Sequence, residues 1–399
     1  MSFVPLISVA EVQLGKMLSP KAKTGKHYFR YLRNTNVQWG RFEISDVAQM
    51  DFSEVEREKF ELRFGDLLVC EGGEPGRCAV WRNEIANCYY QKALHRVRPQ
   101  EGKSDSEFLS FWIRHQAITG AFDDQNAKTT IAHLPQVRLE QLLVPSFNVD
   151  QQRQIAVRLK AQLSEVEAAR QAALAQLRDA DRLRTKITDS IFDECREWWS
   201  IADVARVQSG YAFKSEDFKT SGVRLLRNTN ILPGKVYWDD AVFLDEHEAI
   251  RYPRYKLEAG DILISLDRPL ISSGIKIARV SPEDLPALLL QRVGRLLLKP
   301  GVVDTDFLYG FLQSSRFMRA LSGHEQSLGV PHVSPGQVES VAFPQLSIER
   351  QQKLSASLRA QLIEADAIRQ AATTQLAEIE RLPQRLLAQA FGAQQGASP

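Results

Sequence analysis

The chain carries one long segment twice, and nothing else in it limits the fold so severely. Asp150 to Asp193, DQQRQIAVRLKAQLSEVEAARQAALAQLRDADRLRTKITDSIFD, returns 199 residues later as Glu349 to Gly392, ERQQKLSASLRAQLIEADAIRQAATTQLAEIERLPQRLLAQAFG. Aligned without a gap, the copies share Gln152/Gln351, Leu159/Leu358, Ala161-Gln162-Leu163/Ala360-Gln361-Leu362, Arg170 to Ala173/Arg369 to Ala372, Arg182-Leu183/Arg381-Leu382 and Phe192/Phe391. A repeat of this length divides a chain into two similar halves. With 399 residues, two or three domains are expected.

Leu159, Leu163, Val166, Arg170, Ala173, Leu177, Ala180, Arg184, Ile187 and Ile191 are spaced alternately by four and three, the a/d seam of a coiled coil. The second copy repeats the seam from Leu358 to Ala390. Each helix alone would be marginal, so the seams are expected to pair. A globular domain at the N-terminal end of each helix requires the first helix to lead away from domain one and the second to lead back. The pair is therefore expected to be antiparallel about a pseudo-twofold axis. An unbroken 44-residue helix spans about 66 Å, and Pro383 is expected to kink or interrupt the last two turns of the second. Arg170 and Arg369 share a seam position. They either snorkel and fix register or meet an acid on a separate subunit.

The globular parts read as α+β: two similar sheet-containing domains, residues 1–149 and 196–345, joined by helices 150–195 and 346–399, the last with a C-terminal tail. Leu32-Arg33-Asn34-Thr35-Asn36 recurs as Leu226-Arg227-Asn228-Thr229-Asn230. Gly65-Asp66 before the strand Leu67 to Cys70 recurs as Gly260-Asp261 before Ile262 to Leu266. The glycine-rich EGGEPGR after Cys70 is expected to form a hairpin, not a phosphate cradle, because no helix and no Lys-Ser/Thr pair follows. The Asn residues of LRNTN suit a self-capping turn, while its arginines have a better claim to a phosphate or base. An amphipathic helix is expected over Glu107 to Ala121, and Glu54, Glu56 and Glu58 suit a solvated helix face.

Cys70, Cys78, Cys88 and Cys195 form no CxxC pair and have no His at zinc spacing, so they read as buried thiols of a reducing compartment. No apolar run reaches membrane-span length and no signal peptide is recognisable, so a cytoplasmic protein is expected. Net charge is only +2, from 51 Lys and Arg against 49 Asp and Glu, yet acid-free basic stretches exist. One contains Lys16, Lys21, Lys23, Lys26, Arg30, Arg33 and Arg41. Others surround Lys128, His133 and Arg138, then Arg268, Lys276 and Arg279, then Arg292, Arg295 and Lys299.

Two basic domains held apart about a pseudo-twofold match duplex DNA, whose dyad relates two half-sites. Because the domains differ in sequence, the expected target is bipartite and asymmetric. At this point the chain resembles the specificity (S) subunits of type I restriction-modification systems, the HsdS family, over essentially its whole length. The resemblance rests on Val204-Ala-Arg-Val-Gln-Ser-Gly-Tyr-Ala-Phe-Lys-Ser-Glu-Asp-Phe218, the repeated LRNTN, the two Gly-Asp pairs and the repeated helices. Helix entries Pro145…Asp150-Gln151-Gln152 and Pro344…Glu349-Arg350-Gln351 add to it, as does the ending Ala390-Phe391-Gly392, from which Ile191-Phe192-Asp193 departs.

The resemblance implies a non-catalytic recognition subunit that brings methyltransferase (M) subunits, two of them expected, and a restriction/translocase (R) subunit to double-stranded DNA. AdoMet and ATP are then expected on the partner subunits. The sequence agrees: it has no Asn-Pro-Pro-Tyr-like tetrad, no glycine-rich AdoMet loop after a strand and no GxxxxGK[ST]. Candidate DNA-contacting residues in the first half are Lys23, Lys26, Arg30, Arg33, Arg77, Gln125, Lys128, Thr129, Thr130 and His133. In the second half they are Lys214, Arg224, Arg227, Arg268, Lys276, His324, Gln326, Ser327 and His332. The polar segments around Lys128 and Gln326 correspond to a DNA-facing loop of the family. Arg153, Lys160, Glu167, Arg170 and Arg369 are candidates for partner docking, and no metal site is expected. A stand-alone DNA-binding regulator and a coiled-coil protein scaffold are the alternative readings. If the helices act as a spacer, deleting matched heptads from both will shorten the unread gap, as read by methylome sequencing, and leave both half-sites unchanged. A changed half-site contradicts the spacer.

Overall fold

In the computed structural model of the chain, residues 2–18, 25, 28–123, 133–193, 195–322 and 332–392 are described. The two repeated segments are single α-helices, Val149–Asp193 and Ile348–Phe391. Their seams face inward, with Leu159, Ala173 and Ala180 buried on the first and Leu358, Ala365, Ala372, Ile379 and Ala390 on the second. One expectation is corrected in part. The second helix runs through Pro383 without interruption. Proline forgoes one backbone hydrogen bond there, but Ile379, Leu387 and Ala390 remain buried on either side of it. The two seam arginines are also unlike, since Arg170 is half-buried and Arg369 is exposed.

The chain forms two compact units, residues 1–174 with 374–399 and residues 175–373. Each unit holds the beginning of one long helix and the end of the other. In unit 1, Ala156 and Leu159 share a core with Leu387, Ala390 and Phe391, and Arg170 lies 3.7 Å from Glu380. In unit 2, Phe192 shares a core with Leu354, and Arg184 meets Asp366 at 2.5 Å. Within each unit, then, the two helical segments run antiparallel.

The globular part of unit 1 is a four-stranded antiparallel sheet in the order Ala10–Leu14, Leu94–Pro99, Leu67–Cys70, Cys78–Val80. Unit 2 repeats that order with Ala205–Ser209, Val293–Leu298, Ile262–Ser265, Ile277–Arg279. Leu-Leu-Val-Cys and Ile-Leu-Ile-Ser are apolar almost throughout because both faces of these strands are covered. Leu67 and Val69 face a core with the helix Ser106–Ile118, whereas Leu68 and Cys70 face a second core. In unit 2, Ile262 and Ile264 share a core with Phe307, Leu308 and Phe311 of the helix Thr305–Leu312, and Leu263 turns to the other side. A three-stranded sheet lies in each unit: Ala48–Asp51, Tyr28–Leu32, Tyr89–Tyr90 in one and Val242–Leu244, Val223–Leu226, Ala287–Leu289 in the other. In both, one strand pair is antiparallel and one parallel. The segment EGGEPGR is a hairpin, as expected, with Arg77 O accepting from Cys70 N–H at 2.8 Å.

Glycine is required where the two sheets of each unit meet. A Cβ on Gly15 would overlap the Gln91 carbonyl, and one on Gly210 would overlap the Leu290 carbonyl. The helix Glu54–Phe60 starts at a capping box in which Glu56 accepts from Ser53 N–H at 2.9 Å. Glu56 also pairs with Lys16 at 2.6 Å, so it is not the free solvated carboxylate expected. Cys70, Cys78 and Cys88 are buried. Burial pushes their thiols up to about 11, about 12 and about 12 respectively.

A buried glutamine joins each sheet domain to a long helix. Gln152 is 3% exposed, and its carbonyl accepts from Asp105 N–H at 2.9 Å. Its amide donates to Lys103 O at 3.2 Å and Phe147 O at 2.9 Å. Gln351, fully buried, does the same with Asp304 N–H at 2.9 Å, Val302 O at 3.1 Å and Leu346 O at 2.9 Å. Asp105 and Asp304 are themselves the N-caps of the domain helices, accepting from Phe108 N–H and Phe307 N–H. Phe391 packs edge-on against Phe108 and Trp112 in unit 1, and Phe192 against Phe307 and Phe311 in unit 2. Replacing Gln152 by Leu would strand buried backbone groups, each worth about 1–3 kcal/mol. Urea denaturation of Gln152→Leu is expected to show a loss of that order, and an unchanged midpoint would refute the clamp.

Candidate nucleic-acid interface

In both units an interior strand of the four-stranded sheet runs into a corner built from the same hydrogen bonds. Glu71 N–H donates to Ala93 O at 3.0 Å and Glu71 O accepts from Leu134 N–H at 2.7 Å. In unit 2, Leu266 N–H donates to Arg292 O at 2.8 Å and Leu266 O accepts from Val333 N–H at 2.9 Å. One residue later Gly72 bridges to His133, and Asp267 to His332. Ala93 and Arg292 both have positive φ, 93° and 67°.

The LRNTN turn leans on this corner. Asn36 is 3% exposed and Asn230 fully buried. Each caps its own turn: Oδ1 accepts from Arg33 N–H at 2.9 Å or Arg227 N–H at 3.0 Å, and Nδ2 donates to Glu43 O or Tyr237 O. The self-capping role expected for these residues is therefore present. The arginines close the same turn from outside, Arg33 on Asp46 at 2.7 Å and Arg227 on Asp240 at 2.8 Å. Each guanidinium so has a carboxylate partner within its own unit, which the spacing of the motif does not disclose. Arg77 donates to Asn34 O at 3.0 Å and pairs with Glu74 at 3.0 Å. Lys276 is the counterpart of Arg77, its ammonium donating to Asn228 O. Burial holds the pKa of Lys276 below its ordinary value.

Of the sequence candidates, then, Arg33, Arg77 and His133 converge in unit 1, and Arg227, Arg268, Lys276 and His332 in unit 2. His133 lies 3.1 Å from the buried Glu71. Arg268 and His332 line a surface cavity with Asn228, Asp267 and Arg292. Arg30 is exposed on the strand that leads into the turn. Lys214 pairs with Glu216 at 3.3 Å, and Arg224 stacks on Trp238 at 5.2 Å while donating to Glu283 O at 2.7 Å. Neither belongs to the corner. Lys23, Lys26, Gln125, Lys128, Thr129, Thr130, His324, Gln326 and Ser327 lie outside the described residues. Sequence reasoning missed Asp267 and Gly15, and placed Arg292 in a basic stretch without making it a candidate contact. The offset that aligns Gly65 with Gly260 also aligns Gly15 with Gly210 and would have found that glycine.

No protein-family model matches the chain. Over 158 residues, 40% of its length, it is 41% identical to the EcoAI type I restriction enzyme specificity subunit of Escherichia coli; the match spans 27% of that relative. It is 27% identical to the MjaVIII specificity subunit of Methanocaldococcus jannaschii over 307 residues, 73% of this chain and 71% of the relative. Its fold matches a structure from a type I restriction-modification assembly at a TM-score of 0.76 and 15% identity, covering 98% of this chain and 97% of that one. It also matches the HsdS subunit of Thermoanaerobacter tengcongensis at 0.61 and 16% identity, covering 98% and 96%. In sequence over most of its length, and in fold, the chain is similar to type I specificity subunits.

The candidate docking residues of this chain lie on its long helices. Arg153 and Asp150 are 3.7 Å apart, and Lys160 and Glu107 are 3.9 Å apart. Arg170 sits 3.6 Å from Glu167 as well as near Glu380, so its acids come from its own unit. Arg369 lies in a groove with Arg184 and Asp366. Among the described residues no group of three or more His, Cys, Asp or Glu could hold a metal ion, and no helix is long and apolar enough to cross a membrane.

One buried histidine holds the unit 1 corner in place. His95 is fully buried, its Nε2 is 2.9 Å from Leu134 O, and Nδ1 has no partner. Leu134 O can only accept, so Nε2 carries the proton. Burial pushes the pKa of His95 down, and the backbone bond only partly opposes this. With the folded pKa below the unfolded value of about 6.5, stability is complete above pH 6.5 and falls as acid protonates the unfolded chain first. Unfolding measured from pH 7 to pH 5 is expected to show this loss, up to about 1.4 kcal/mol per pH unit. His95→Gln is expected to reduce the slope; an unaltered slope would remove His95 as its source.

Proposed function

We propose that this chain reads an asymmetric, bipartite DNA site, one half-site per unit, and positions methyltransferase and restriction subunits on it without catalysing a reaction itself. The observation that carries this reading is the corner that recurs in both units with the same backbone frame and different side chains. A shared frame presents a loop cluster to DNA in the same way twice, and unlike side chains make the two half-sites different. Lys and Arg around each corner would supply phosphate contacts, which position the protein. Asn, Arg and His at the corner would supply base contacts, which discriminate.

AdoMet and ATP would be bound by the partner subunits, since this sequence has neither an AdoMet loop nor a phosphate-binding GxxxxGK[ST]. The exposed Val157, Ile363 and Ile368 on the long helices, 69%, 63% and 52% accessible, favour helix-to-helix docking of those partners. A chain that reads DNA in this way would work in the cytoplasm.

Affinity purification of the chain from its native host, with mass spectrometry and DNA-binding titrations of the purified material, tests the proposal. A DNA adenine methyltransferase is expected to co-purify. The complex is expected to prefer its site over random duplex by at least about 10³-fold, with affinity falling as salt rises. A preparation containing no methyltransferase, or one indifferent to DNA sequence, contradicts it.

A further inference from the structure

The two corners differ most at a pair of arginines. In unit 2, Arg268 and Arg292 line one surface cavity with Asp267, Asn228 and His332. Both arginines have left-handed backbone, with φ of 48° and 67°. That conformation disfavours any side chain with a Cβ, and arginine gains nothing there locally. Unit 1 relaxes the first of these positions, with Gly73 at φ of 78° in the place of Arg268, but keeps the strain at the second, where Ala93 has φ of 93° in the place of Arg292. The left-handed backbone at Arg292 therefore belongs to the shared frame, and what unit 2 adds there is the arginine side chain itself.

Arg292 is also aimed. Its side chain is 62% exposed, but one terminal nitrogen donates to Asp267 Oδ2 at 3.0 Å, and Asp267 is only 12% exposed. Asn228 Nδ2, 3.4 Å from the same oxygen, holds the carboxylate from the other side. A guanidinium pinned at one edge keeps donors free in a fixed plane. The adjacent carboxylate lowers its value as a phosphate contact, where a free charge serves best, and raises its value where orientation decides. A planar fork of N–H donors fits the O6 and N7 acceptors of guanine in the major groove.

We infer that Arg292, positioned by Asp267, reads a guanine in the half-site of unit 2, and that the unit 1 corner, with Ala93 in the aligned place, has no equivalent reader. This rests on the DNA-reading function proposed above. The exposed Arg268, for which no carboxylate partner is present among the described residues, serves the neighbouring phosphate.

The test is methylome sequencing of strains that express the complete complex with unaltered chain, Arg292→Lys or Arg292→Gly. Glycine relieves the left-handed strain, so Arg292→Gly keeps or raises the Tm, and a changed motif cannot be ascribed to unfolding. Both variants are expected to relax discrimination at one G·C pair of one half-site, by roughly 5- to 150-fold, with the other half-site intact. Lysine keeps the charge but has no planar fork to be held by Asp267, so it is not expected to restore full discrimination. An unchanged motif, relaxation at an A·T pair, or a uniform fall in methylation with the motif intact overturns the inference and leaves the proposed function standing. Absence of any bipartite motif from the unaltered complex overturns both.

Discussion

A buried amide ties each sheet domain to a long helix. Gln152 and Gln351 each satisfy one backbone N–H and two carbonyls at the junction between a domain helix and the first turn of a long helix. The N–H belongs to the N-cap residue of the domain helix, so the same bond sets where that helix begins. Phe391 and Phe192, from the last turn of the opposite long helix, close the other side of the domain helix. A domain held at both points cannot pivot on its helices without burying unpaired polar groups, each costing about 1–3 kcal/mol. Any surface the domain offers is thereby held at a set angle to the helices within its unit.

On that frame the two units diverge in chemistry and not in backbone. The corner beside LRNTN uses the same hydrogen bonds in both, and the donor to the first Asn carbonyl changes only from Arg77 to Lys276. The side chains beside it change completely, Gly72, Gly73 and Ala93 against the buried Asp267 and the exposed Arg268 and Arg292. The backbone bonds are kept, and the side chains set on them vary.

How much of this was legible in the sequence depended on the distance between partners. Periodicity found both helices, both apolar strands and the antiparallel run of the helical segments, because each rests on local spacing and short connections. Gln152 and Gln351 stood out only as repeated, since their partners lie about fifty residues upstream. Arg33 and Arg227 resembled free ligands because Asp46 and Asp240, thirteen residues on, meet them only after the chain folds back. Glu56 read as solvated for the same reason, its Lys16 partner lying forty residues away. Arg292 stood out only as one member of a basic stretch: neither its left-handed backbone nor its clamp to Asp267 has a signature in composition or spacing.

On the proposed function, one frame used twice with different side chains reads two unlike half-sites. Single-molecule sequencing of methylated bases in a strain that carries the complete unaltered complex tests it most directly. The expected result is one motif of two dissimilar specified blocks separated by a run of unspecified bases. A palindromic motif, a continuous one, or no methylation dependent on this chain would contradict the account.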